Sequence, residues 1–160
     1  MEFTHFNKDG KAKMVNVSTK EKTYRSAKAR GYVQVNPQTL QLIQSGGIKK
    51  GDVLSVSQVA GIMASKKTSD LIPMCHPIMI NGCDIYFRIL EEKSMIEITS
   101  ELKCYERTGI EMEALTAVSI AALTIYDMCK AVQRDIRICD IHLIEKTGGK
   151  EDFRSDDDEI

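Results

Sequence analysis

One stretch constrains this chain more than any other. Residues 108–132 read Thr-Gly-Ile-Glu-Met-Glu-Ala-Leu-Thr-Ala-Val-Ser-Ile-Ala-Ala-Leu-Thr-Ile-Tyr-Asp-Met-Cys-Lys-Ala-Val, and between Ala114 and Ile125 the polar side chains are Thr116, Ser119 and Thr124. That is a long helix, apolar on every face, and such a helix must be covered on every face. Thr108 followed by Glu111 fits a capping box at its start. Glu111 and Glu113 stand at one end, Asp127 and Lys130 at the other. Charges beside so apolar a surface need a partner or a ligand, because an unpaired buried charge is costly.

The flanking segments supply a sheet. Residues 24–35 read as a first strand. Asn36 is a good N-cap with Pro37 at the first helical position, Leu40 and Ile43 face inward, and Gly46-Gly47 stops that helix. Val56, Val59, Ala60 and Met63 recur at helical spacing and give a second helix over residues 55–67, with those four as its inner face. Prolines 73 and 77 exclude helix across residues 71–77. Residues 83–90 and 95–104 form a hairpin through a turn at residues 91–94, with Ile96, Ile98, Leu102 and Cys104 on one side of the second strand. The last strand, residues 136–146, changes phase between Ile138 and Ile141, which predicts a bulge near Cys139 and Asp140. The order predicts an α+β, ferredoxin-like split βαβ fold, an antiparallel sheet with its helices on one face. One such sheet cannot cover the whole long helix, so the chain is expected to oligomerise.

Length fits one domain: a flexible arm over residues 1–20, a single ferredoxin-like catalytic domain over 21–153, and an acidic disordered tail over 154–160. A net charge of −1 argues against nucleic acid as the main partner. Five cysteines without a Cys-x-x-Cys pair suggest a reducing compartment. No apolar leader is seen and unbroken apolar runs are short, so no membrane association and a cytoplasmic location are expected.

Several constellations could carry chemistry. Asp127 and Lys130, three apart on a helix, share a face, and a lysine in such surroundings is one whose acidity neighbours tune. Leu71-Ile-Pro-Met-Cys-His-Pro77 is stiffened by its prolines, which fixes where His76 points. As a metal site it is weak, since neighbouring side chains of an extended strand diverge; on its own it reads as a structured loop with a hydrogen-bonded histidine. Glu111 and Glu113, about 200° apart around the helix, do not face each other, and acids suit a first turn anyway. Lys50, Lys66 and the Lys146-Thr-Gly-Gly-Lys150 segment add cations, with glycines that would let amides approach an anion. Lys66 also suits a helix C-terminus. Glu113 and Asp127 are fourteen residues apart, about 21 Å along a helix. One small ligand cannot touch both within one subunit. Either there are two sites, or one site joins the helix start of one chain to the helix end of another, and the apolar helix surface favours the second. Lysines, a histidine and carboxylates together suggest acid–base chemistry on a phosphate-bearing substrate.

Leu71-Ile-Pro-Met-Cys-His-Pro77, Gly109-Ile-Glu-Met-Glu-Ala-Leu-Thr-Ala117 and Ala122-Leu-Thr-Ile-Tyr-Asp-Met-Cys-Lys-Ala131, with Lys50-Gly-Asp-Val53 and Lys146-Thr-Gly-Gly-Lys150, resemble the hallmark segments of the molybdenum cofactor biosynthesis protein C family. The resemblance implies a homohexamer, a trimer of dimers, with its pocket at a subunit interface. It implies conversion of a cyclic dihydroguanosine triphosphate, 3',8-cyclo-7,8-dihydro-GTP, to cyclic pyranopterin monophosphate with release of pyrophosphate. That substrate would come from a radical-SAM GTP cyclase. Carried over by motif, Asp127 and Lys130 are catalytic; Lys50, Met74, Cys75, His76, Glu111, Met112, Glu113, Lys66, Lys146 and Lys150 bind substrate. No metal site or cofactor is implied, although magnesium could accompany the triphosphate.

The chain departs from that pattern at Asn16, where aspartate is usual, at Ser69, at Glu106-Arg107 in place of Gly-Lys, and at Glu151 in place of serine. These bear on phosphate affinity and the arms more than on the core chemistry. A non-catalytic nucleotide-sensing oligomer and a purely structural assembly domain are the competing classes. Asp127, Lys130 and His76 would be surplus to a binding module, and the clustering of lysines and acids argues against a purely structural domain.

Overall fold

The computed structural model describes residues 8–156. Five strands, β1 (Thr23–Gln34), β2 (Ile80–Leu90), β3 (Met95–Glu106), β4 (Arg137–Thr147) and β5 (Phe153–Arg154), pair antiparallel in the order β2-β3-β1-β4-β5. Helices α1 (Pro37–Gln44), α2 (Val53–Ser65) and the short α3 (Thr68–Leu71) join β1 to β2; α4 (Glu111–Cys129) joins β3 to β4. Because β3 lies between β1 and β2, the crossover is split as expected, and the α+β, ferredoxin-like arrangement holds. The α3 turn was not foreseen. The predicted tail boundary also moves: β5 includes Arg154, and the Ser155 amide donates to Ile144 at 2.8 Å.

Local chemistry explains most boundaries. Asn36 caps α1, accepting from the Thr39 amide at 2.7 Å, and Gly46 ends it at φ +69°. Ser94, at φ 49°, closes the β2–β3 turn. The predicted bulge is present: Arg30 pairs with His142 but Tyr32 with Cys139, and Asp140 takes φ +50°. It keeps Ile138 and Ile141 on the helix side despite their changed phase. A second bulge follows, since Ala29 pairs with Leu143 but Lys28 with Glu145. It turns Lys146, opposite the buried Ala27, toward the helices.

Two further expectations fail. The capping box is absent: α4 starts at Glu111, its N-cap is Ile110, and no side chain caps it. The Glu111 carboxylate is drawn away to Lys146 instead. Helix α2 is also rotated from the predicted orientation. Val53, Ser57, Gly61 and Ser65 are buried, whereas Val56, Val59 and Met63 are 45%, 56% and 63% exposed. The cause is close helix packing. A Cβ on Gly61 would lie 2.8 Å from the Ala117 carbonyl oxygen and 3.4 Å from the Ala121 Cβ of α4. Small residues permit that approach, and the larger apolar side chains are left outside.

Helix α4 lies across the middle of the sheet. It is long and apolar enough to cross a membrane, but Ala114, Ala117, Val118, Ala121, Ala122 and Ile125 are fully buried in the core, as in a soluble protein. Gly31 of β1 leaves room for it: a Cβ there would stand 2.8 Å from Val118. The outer stripe of α4 stays open, with Leu123 53% and Met112 37% exposed. The far face of the sheet is polar, and Glu97, almost fully buried there, pairs with Arg88 at 2.8 Å and Arg30 at 3.6 Å.

Candidate active site

The two ends of α4 carry two separate clusters. At the C-terminal end, the Asp127 carboxylate lies between two ammonium groups. Lys130 Nζ is 2.6 Å from Oδ1, and Lys50 Nζ is 2.8 Å from Oδ2. Lys50 also donates to the Asp127 carbonyl at 2.7 Å. It reaches there because the loop before α2 is tightly specified. Gly51 adopts φ +107°, and Asp52 caps α2 through Ser55, whose amide and hydroxyl donate at 3.0 and 2.6 Å. Lys-Gly-Asp is therefore a cation, a turn and a cap in succession. Hydrogen bonds from Lys130 and then Lys50 hold the Asp127 carboxyl down to about 2. In return the Asp127 hydrogen bond raises the Lys130 ammonium above its ordinary value. The carboxylate thus favours the ammonium form of Lys130.

The N-terminal end of α4 opens on a cleft of about 630 Å³. Met74, Cys75, His76, Met112, Glu113 and Lys150 all line it. Cys75 and His76 were expected to diverge; both face the cleft because the segment turns, with the Cys75 amide donating to Ile72 at 3.1 Å. His76 Nε2 donates to the Val15 carbonyl at 2.8 Å, tying the loop to the N-terminal segment. Glu113 is only 3% exposed, and its Oε2 lacks a hydrogen-bond partner among the described residues. Burial pushes its carboxyl up to about 7. Burial and then the neighbouring Glu113 push the Cys75 thiol up as well.

Glu111 lines the same cleft, and it also lines a second cavity of about 600 Å³ with His142, Lys146, Glu151 and Phe153. Its carboxylate pairs with Lys146 at 3.0 Å. Gly148 shapes the turn in the Lys146–Lys150 segment. Gly148 has φ +79° directly over the Tyr24 carbonyl, and its amide donates to Asp152 at 2.9 Å.

The structure therefore unites Lys50, Asp127 and Lys130, and separately unites the residues around His76 and Glu113. Lys66 joins neither: it is the exposed C-cap of α2, beside Cys83. Within one chain the two clusters stand about 21 Å apart along the helix axis. Lys20 was missed; it lines the cleft, held where its carbonyl accepts from Arg107 at 2.9 Å. Its only sequence signal was a lysine-rich arm, which read as solvated. Arg107, a departure from the family pattern, thus fastens that segment. Asn16, another, accepts from the Ser18 amide at 2.9 Å. Among the described residues no group of three His, Cys, Asp or Glu side chains is placed to hold a metal ion.

Comparison with known proteins identifies the family. A cyclic pyranopterin monophosphate synthase of Thermoanaerobacter sp. (strain X514) is 58% identical over 94% of this chain and 95% of its own length. Proteins of that name from Peptoclostridium acidaminophilum and Clostridium perfringens (strain 13 / Type A) are 59% and 60% identical, over 94% and 92% of this chain and 94% and 93% of their own lengths. The family model described as the MoaC family matches residues 14–149, which include every described candidate residue except Lys150. The chain belongs to the MoaC family.

Proposed function

We infer that this chain is a cyclic pyranopterin monophosphate synthase, a lyase of molybdenum cofactor biosynthesis. The observation that carries the chemistry is the Lys50–Asp127–Lys130 cluster, a carboxylate holding two ammonium groups at 2.6–2.8 Å. The substrate is the cyclic dihydroguanosine triphosphate intermediate, supplied by a radical-SAM GTP cyclase, and pyrophosphate leaves during the reaction. Lys130 gives and recovers protons as the ring opens and closes, and Asp127 orients it. The purine-derived part lies in the His76–Glu113 cleft, where the polar groups around Glu113 offer it partners. The triphosphate lies along Lys146 and Lys150. A divalent ion, where one takes part, arrives with the triphosphate.

The two clusters act together only across subunits. The exposed apolar side chains of α2 and α4 supply the means, since Val59, Met63 and Leu123 are each more than half exposed. Two chains that bury them bring the start of one α4 to the end of another, within a cytoplasmic homohexamer. The test is a coupled reaction of the radical-SAM partner, GTP and this protein, followed by mass spectrometry. Product that requires this protein and vanishes with Lys130→Ala supports the reading. Accumulated intermediate with correctly assembled wild-type protein leaves a nucleotide-binding oligomer instead.

A further inference from the structure

Glu111 differs from its neighbours in the cleft. Its carboxylate pairs with Lys146 at 3.0 Å and occupies the space over Gly109, where an added Cβ would fall 1.8 Å from Oε2. Glu113, two residues on, has an oxygen without a hydrogen-bond partner among the described residues. The sheet also departs from regular pairing to make the Glu111 contact. Without the second bulge of β4, the alternation that puts Leu143 on the helix side would send Lys146 to the far face. A free carboxylate beside a polyanionic substrate repels it; one neutralised by a lysine does not.

We propose that Glu111 is a positioning residue that acts through Lys146: the pair holds the ammonium group at the wall between the two cavities, and the lysine alone meets the anionic part of the substrate. This rests on the synthase reading above and extends it, because residue-by-residue carry-over would place Glu111 itself on the substrate. Gly109 provides an independent handle. It does not occupy the left-handed region, and what a methyl group would displace there is the far end of the Glu111 side chain. Gly109→Ala therefore moves the carboxylate while keeping both charges.

The experiment measures kcat and KM in the coupled reaction for Glu111→Gln, Lys146→Gln, the double variant, Gly109→Ala, and Gly109→Ala combined with Lys146→Gln. Each of Glu111→Gln, Lys146→Gln and Gly109→Ala is expected to lower kcat/KM about ten-fold, chiefly through KM, and the double variants to be no worse than Lys146→Gln alone, as for one coupled unit. Thermal unfolding of each variant identifies loss through misfolding, and Gly109→Ala carries the test if Glu111→Gln does not fold. Additive losses, about a hundred-fold in the double variants, would mean that Glu111 touches substrate directly, and would overturn the proposal. A wild-type chain that makes no product fails the synthase reading first, and this inference with it.

Discussion

Asp127 stabilises the charged form of the lysine beside it. Its carboxyl lies near 2, so it is anionic throughout the physiological range, and the Lys130 ammonium is raised by that anion. Asp127→Asn removes the cause of the raised value. The alkaline limb of the kcat/KM profile, where Lys130 loses its proton, should then move to lower pH. A limb that stays put would assign that ionisation to another group. Glu113 behaves oppositely. Its carboxyl rises to about 7 from 4.5, so between those values the folded chain keeps a proton that the unfolded chain has lost. Stability from this group falls as pH rises through that window. Glu113→Gln should flatten the decline, and its Tm should exceed that of the wild type at pH 8 by more than at pH 5. Equal differences at both pH values would contradict the burial argument.

At the scale of elements, the sequence was most readable where a single residue decides a geometry. Asn36-Pro37 started α1, and the phase change between Ile138 and Ile141 marked the first β4 bulge. The second bulge left no such mark, because Leu143, Glu145 and Lys146 fit either phase as single residues. Helix α2 was misread because hydrophobic periodicity assumes that the largest apolar side chains face the core. Here Ser57 and Gly61 are inside because α4 approaches closely at Ala117 and Ala121. Gly61→Ala tests that packing. Its methyl group would meet a backbone oxygen at 2.8 Å and Ile85 at 2.5 Å. Overpacking of this kind costs about 1–3 kcal/mol, measurable by denaturant unfolding. A neutral result would mean that the two helices separate freely.

At the scale of the molecule, both faces of the helical layer have distinct tasks. One buries α4 on the sheet; the other leaves Val56, Val59, Met63 and Leu123 in the open. The apolar length of α4 predicts an uncovered surface in sequence, although α2 supplies most of it. Replacing Val59 and Met63 together by glutamate should shift the assembly toward smaller species in light scattering while the far-ultraviolet circular dichroism stays unchanged. An unchanged mass would place the interface elsewhere. The candidate site was legible as two clusters, because the residue count of α4 sets their separation. The exposure of Val56, Val59 and Met63 could not be read, since it depends on how closely α2 packs on α4.

We propose that the Lys130 cluster of one chain and the His76 cleft of another form one site. Lys130→Ala and His76→Ala chains, each inactive alone, should be coexpressed and assayed as mixed oligomers for cyclic pyranopterin monophosphate. A site that draws one end from each chain is intact in about a quarter of random pairings, so activity should return to about that fraction of wild type. Mixed oligomers as inactive as either variant alone would mean that each chain carries its own complete site, and would contradict the account.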